Sequence, residues 1–175
     1  QTPTTFWTSE DNVMKGLSAV YNPFRRMTSG YYGGLEGIMH LQMRGDDLYP
    51  TRGEEPYIWE YLSFVNTTNT KDLSWGNIYE GIQMANEFIY RAATVDMDET
   101  KREQMIGEAY FLRGFWYFRL RTDYRDAVIR TLPQDADPET HGLSSGDEVL
   151  EQAISDFKEA KSRLPKLRSS DENGR

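Results

Sequence analysis

Apolar residues recur at steps of three and four in separate stretches of the chain. The first stretch holds Val13, Leu17, Val20, Tyr21 and Phe24, a spacing that gathers them on one helix face. Thr8-Ser-Glu-Asp11 ahead of them offers a hydroxyl cap and first-turn acids, so a helix is expected over about residues 9–28. Pro23 and the stretch from Gly30 to Gly34 end or interrupt it. A shorter helical pattern runs from Leu35 to about Met43. Residues 44–73 then lose the period: Pro50, Gly53, Pro56 and several Thr and Asn fall there. A loop of that length in a compact chain is unusual and is often functional.

The pattern returns in WGNIYEGIQMANEFIYRA, where Trp75, Ile78, Tyr79, Ile82, Ala85, Asn86 and Ile89 share a face, giving a helix over about 74–93. The next helix, about 99–122, centres on EAYFLRGFWYFRL. Met105, Ala109, Leu112, Trp116 and Leu120 form its stripe, and Ile106, Phe111, Phe115 and Phe118 widen it. A helix apolar on most sides is expected to be buried against several neighbours, with Trp116, Tyr117 and Phe118 in the core. Glu108 and Arg113 inside it read as a buried charge pair or as caps for backbone groups. A linker with Pro133 and Pro138 follows. Ser145-Gly-Asp-Glu148 is a capping box. It opens a last helix, about 146–164, with an apolar face of Val149, Ala153, Ile154, Phe157, Ala160 and Leu164. Strand patterns are nearly missing. The fold expected is all-α, with tetratricopeptide-like antiparallel helix pairs and long irregular loops. The second and third of these helices are expected to pack through Trp75, Tyr79 and Ile82 against Leu112, Trp116 and Leu120.

Composition narrows the function. The 175 residues carry a net charge of -8, which argues against nucleic acid, because phosphate binding needs clustered Lys and Arg. The same charge argues against adsorption to anionic lipid. Mean hydropathy is -0.73, and no window reaches the roughly 20 apolar residues of a membrane helix. With no cysteine, disulfides, thiolate metal sites and cysteine nucleophiles are excluded. His40 and His141 lie too far apart in sequence to suggest a metal pair. Asp46-Asp47 and Glu54-Glu55 are neighbours, and adjacent carboxylates rarely face each other across the ~5–10 Å of glycosidase chemistry. No catalytic motif and no cofactor signature is present, so the expected activity is binding rather than catalysis.

Four blocks carry a resemblance. FWTSEDNVMKGLSAVYNPF, WGNIYEGIQMANEFI, GEAYFLRGFWYFRL and SSGDEVLEQAISDFKEAKSRLP follow one another as do corresponding blocks of the SusD/RagB family, which the chain resembles from about Thr5 to Arg175. Two departures stand out: Arg125 where the family usually has Gly, and Gly114 in place of a frequent Ala. The resemblance implies an N-terminal helical segment spanning residues 1–175, with the C-terminal part of a longer protein missing. It also implies a lipid-anchored protein at the cell surface, in the outer membrane of a Gram-negative bacterium. Any lipid-bearing cysteine would lie outside this chain. The implied role is capture of oligo- or polysaccharides and their delivery to a partner SusC-like TonB-dependent transporter, without catalysis. The alternative from the helix pattern alone is a tetratricopeptide-type scaffold for a protein partner.

For the glycan contacts the expectation falls on the loop from Arg44 to Trp59. It mixes Tyr49, Tyr57 and Trp59 with Asp46, Asp47, Arg52 and Glu54. A sugar site needs that mixture: a flat ring to stack on a pyranose, and charged groups to hydrogen-bond paired hydroxyls. Trp59 and Tyr57 are the expected stacking rings, and Asp47 and Arg52 the hydroxyl partners. The resemblance places a ligand-facing loop at this point in starch-binding members, but family loop residues vary, so no position transfers by motif.

Overall fold

The computed structural model describes residues 6–25, Gly45 and 75–166. Four long helices are present among them: α1 (Glu10–Arg25), α2 (Trp75–Ala92), α3 (Glu99–Asp123) and α4 (Gly146–Arg163). Among the described residues the one β feature is an isolated antiparallel bridge between Ala127 and Ser144. Contacts divide the chain into two units, residues 1–20 with 81–175, and residues 21–80. The short helix expected near 35–43 and the loop of 44–73 lie outside the described residues, Gly45 excepted.

α1 starts where Ser9 Oγ accepts the Asn12 amide at 3.4 Å, the hydroxyl cap expected of this segment. Val13, Leu17 and Val20 are buried. Pro23 lies inside the helix rather than ending it, and without an N–H it forfeits one backbone hydrogen bond. Ahead of α1, the Trp7 indole lies edge-on to Phe88 of α2, with centroids 5.8 Å apart. A Cβ on Gly16 would reach within 2.7 Å of Trp7 Cζ3, so the indole can only lie there over a glycine.

α2 buries Ile78, Ile82, Ala85, Asn86, Phe88 and Ala92. In its first turns the Trp75 and Tyr79 rings lie against each other at 4.9 Å. α3 begins with Asp98 accepting the Lys101 amide at 2.9 Å, and it buries its expected stripe of Met105, Ala109, Leu112, Trp116 and Leu120. α2 runs antiparallel to α3. Gly81 is so close to Trp116 that a Cβ there would stand 2.7 Å from the indole Cδ1, while Asn86, further along α2, bonds Arg113, earlier on α3.

The breadth of α3's apolar surface was expected to be fully covered, and it is not. Phe111 is 49% exposed and Phe118 41%, so Phe118 does not join Trp116 and Tyr117 in the core. Positions seven apart share a face, and among the described residues this face is only partly covered. Phe111 has partial cover from Phe157, at 5.6 Å.

α4 packs against α3 across glycines. A Cβ on Gly107 would sit 2.9 Å from Arg163 Cβ, and one on Gly114 3.0 Å from Asp156 Cβ and 3.1 Å from the Ala153 carbonyl oxygen. Residue numbers rise on α3 as they fall on α4, so this pair is antiparallel too. The Gly114 departure fits this closeness: a methyl group there would press on α4 unless that helix gave way by a few tenths of an ångström. The capping box at Ser145 and Glu148 is present. Val149, Ala153 and Ala160 are buried as expected, but Ile154 is 42% exposed and Asp156 takes a core position instead. A step of three from Ala153 leads to Asp156 and places Ile154 to the side.

Candidate functional site: a buried polar hub and its groove

The centre of the helix layer is polar. Arg113, 4% exposed, and Asp156, 1% exposed, face each other across the α3–α4 contact. Arg113 Nε donates to Asp156 Oδ2 at 2.9 Å and Nη2 to Oδ1 at 2.7 Å. This two-pronged geometry is that of a guanidinium on a carboxylate. Nη1 donates to Asn86 Oδ1 at 2.8 Å and to the Thr131 carbonyl at 3.0 Å. The Asn86 amide in turn donates to the carbonyls of Arg130 at 2.9 Å and Leu132 at 3.3 Å. Tyr117 Oη accepts the Arg130 amide at 2.8 Å and donates to its carbonyl. Gln152 Nε2 adds a third donor to Asp156, at 3.0 Å. A buried charge is tolerated only when paired and hydrogen-bonded, and here each group is. The sequence offers Glu108 and Arg113 as a buried charge pair or as caps for backbone groups; Arg113 does both, with its carboxylate on another helix, Asp156, and a backbone carbonyl at Thr131.

Burial is the largest influence on both groups of the pair. It lifts the Asp156 carboxyl above the ordinary carboxylate range, against the pull of Arg113. It works to lower the Arg113 value, but the hydrogen bonds and charge of Asp156 outweigh it and hold the guanidinium above its ordinary pKa.

The hub ties residues 130–132 to α2 and α3 through Asn86, Arg113 and Tyr117, and Thr131 and Leu132 lie beside residues of α2 and α4. Beside it a groove of about 630 Å³ opens between those two helices, with Tyr90 on one wall, Gln152, Ser155 and Glu159 on the other, and Tyr110 and Arg113 at its base. The guanidinium carbons of Arg113 and Arg163 each lie 5.1 Å from the Tyr110 ring centroid, within cation–π range. Glu159 accepts from Arg163.

The residues expected from sequence to meet a glycan, Asp47, Arg52, Tyr57 and Trp59, all lie outside the described residues. None of the groove's residues was singled out for binding. One signal was available for the hub: Asp156 stands in register with Val149, Ala153 and Ala160, and a carboxylate on an apolar face needs a buried partner. Nothing local marks the groove, because its walls come from residues some 60 positions apart.

A family model described as SusD-like, starch-binding and associating with the outer membrane, matches residues 42–173. The chain belongs to the SusD-like family. A SusD-like protein of Formosa agariphila is 26% identical over 165 residues, which is 91% of this chain and 31% of the relative. Among solved structures, a laminarin-binding SusD-like protein superposes with a TM-score of 0.80 at 25% identity, covering 96% of this chain and 37% of that one. A SusD superfamily protein from Bacteroides vulgatus gives a TM-score of 0.79 at 24% identity, covering 94% and 36%; at that identity it speaks for the fold alone. This SusD-like chain therefore spans about a third of the length of the relatives it matches. The hub gives the SusD-like blocks a physical meaning: Asn86 lies in the second block, Arg113 in the third and Asp156 in the last, and the fold brings the three together.

Proposed function

We propose that the chain serves the binding of oligo- or polysaccharides at the cell surface and their delivery to a partner SusC-like TonB-dependent transporter, with attachment to the outer membrane through a lipid anchor and without catalysis. The observation that carries this reading is the family match over residues 42–173, with its starch-binding and outer-membrane description. The likeness to a protein named for laminarin binding points the same way. Within this chain the glycan contacts are assigned to Asp47, Arg52, Tyr57 and Trp59. Stacking rings beside charged hydrogen-bonding groups are what a pyranose face and its hydroxyls require.

The test uses the full-length protein on a glycan array, followed by calorimetry with the best ligand. Trp59→Ala is expected to weaken binding by about 1–3 kcal/mol, by analogy with aromatic stacking on nucleic-acid bases. Unchanged affinity in both Trp59→Ala and Tyr57→Ala removes the loop from the site. An array with no glycan bound overturns the function itself.

A further inference from the structure

The groove between α2 and α4 is separate in sequence from the 44–59 loop, and nothing above assigns it a role. Its volume, about 630 Å³, falls in the range of roughly 300–1,000 Å³ typical of small-molecule sites. Its chemistry is selective. The charges at its surface are already paired, Arg113 with Asp156 and Glu159 with Arg163, which Glu103 shares, so no cation is left over to draw an anionic ligand. Its hydrogen-bonding capacity is not used up. The hydroxyls of Ser155, Tyr90 and Tyr110 make no hydrogen bond among the described residues, and the Gln152 side chain, which donates through Nε2 to Asp156, keeps its carbonyl oxygen. Tyr90 is 44% exposed and has a single guanidinium, that of Arg91, over its ring at 5.2 Å, while the Tyr110 ring has two guanidinium groups against it and offers its hydroxyl. Most of the lining is helical, with backbone amides bonded internally, and the carbonyls of the non-helical Thr131 and Leu132 already accept from Arg113 and Asn86, so an extended polypeptide finds little backbone to pair with. A neutral ligand with several hydroxyls and one apolar face satisfies each of these features.

We propose that this groove is a second carbohydrate subsite, which takes a neutral pyranose between the Tyr90 ring and the polar side chains of Gln152, Ser155 and Glu159. The assignment rests on the reading of the protein as a glycan binder, but it does not depend on the loop residues. The rigid floor supplied by the hub matters here: side chains fixed by buried hydrogen bonds lose little freedom when a ligand arrives.

The experiment is fluorine NMR on the full-length protein labelled with 3-fluorotyrosine, with the Tyr90 and Tyr110 resonances assigned through their Phe variants. The probes are the methyl glycosides of β-D-glucose, β-D-galactose and α-D-mannose, with trialanine as the polypeptide control. The expected result is a saturable shift of the Tyr110 resonance with at least one glycoside. In Ser155→Trp, which fills the groove from an exposed position, affinity falls at least tenfold; in Trp59→Ala the shift persists. If thermal melting shows Ser155→Trp to be unfolded, Tyr90→Ala serves in its place, read at Tyr110. No saturable shift with any of the three glycosides overturns the subsite, as does saturation by trialanine alone. A shift that vanishes in Trp59→Ala also overturns it and returns the binding to the loop. Conversely, groove saturation in a protein that retains no array glycan keeps the subsite and sinks the delivery function.

Discussion

Arg125 is the described non-glycine residue with positive φ, at 70°. A side chain in that left-handed region crowds its own carbonyl and costs about 1–2 kcal/mol. The sequence flagged this position as a departure from the family's usual Gly, and the backbone shows why Gly is usual there: the conformation is kept and the residue is not. Arg125 also lines the start of α4, where a Cβ on Gly146 would stand 2.8 Å from its Cγ. Relief of the strain is partly offset by the extra freedom that a glycine gives the unfolded chain, roughly 0.5–1 kcal/mol. Arg125→Gly is therefore expected to raise stability by about 0.5 kcal/mol, and Arg125→Val to lower it by more than about 1 kcal/mol, because branching at Cβ worsens the clash. Urea midpoints of the two variants check both signs. A second residue-scale effect concerns Glu148. Its carboxylate accepts from the Ser145 hydroxyl and amide, each at 2.7 Å, and these bonds hold it below the ordinary carboxylate range. The folded value lies below the unfolded one, so the cap adds stability above the unfolded pKa of about 4.3 and loses it as pH falls through the folded value. Glu148→Gln should remove that part of the acid dependence. Wild-type and variant unfolding midpoints measured from pH 6 to pH 3 should converge toward the acid end.

At the scale of elements, the Arg113–Asp156 contact between α3 and α4 behaves differently when one side is lost or both. Asp156→Asn leaves a buried guanidinium without its counter-charge and is expected to cost about 3–5 kcal/mol. Arg113→Met with Asp156→Leu replaces the pair by apolar volume and should return most of that loss. Urea unfolding of the two single variants and the double gives the coupling directly, and additive losses would show that the pair does not act as a unit. The helices themselves were legible: Asp98 and the Ser145–Glu148 box mark two starts by local chemistry, and α3's buried stripe follows from its period. What period cannot convey is which face has a neighbour. Phe111, Phe118 and Ile154 carry the same apolar signal as Leu112 and Val149, yet they are exposed because only part of each helix's circumference is covered. Partners distant in sequence were equally illegible, since Arg113 and Asp156 lie 43 positions apart. The loop proposed from sequence, with Trp59 and Tyr57, lies outside the described residues and rests on chemistry alone.

Over the whole molecule, the hub ties together segments that no local interaction joins. Arg113 reaches α2 at Asn86, the 130–132 segment at Thr131 and α4 at Asp156, and the groove exists only where these segments meet. Partial opening is correspondingly unfavourable. If α4 lifted away, Arg113 would stay among apolar neighbours with its charge uncompensated, and the Asn86–Thr131 bonds could not make good the loss. The second half of α2, the centre of α3 and the middle of α4 should therefore open as one cooperative block. Native-state amide hydrogen exchange tests this. Amides near Asn86, Arg113 and Asp156 are expected to share one opening free energy and one denaturant slope, above those of the Asp137–Leu143 connection. Earlier exchange of α4 would show that it detaches alone. A block that opens only as a whole also sets the order of assembly: with its charge partner 43 residues downstream, α3 cannot complete its core until α4 has been made, so the native packing of all three helices must arise in a single late step.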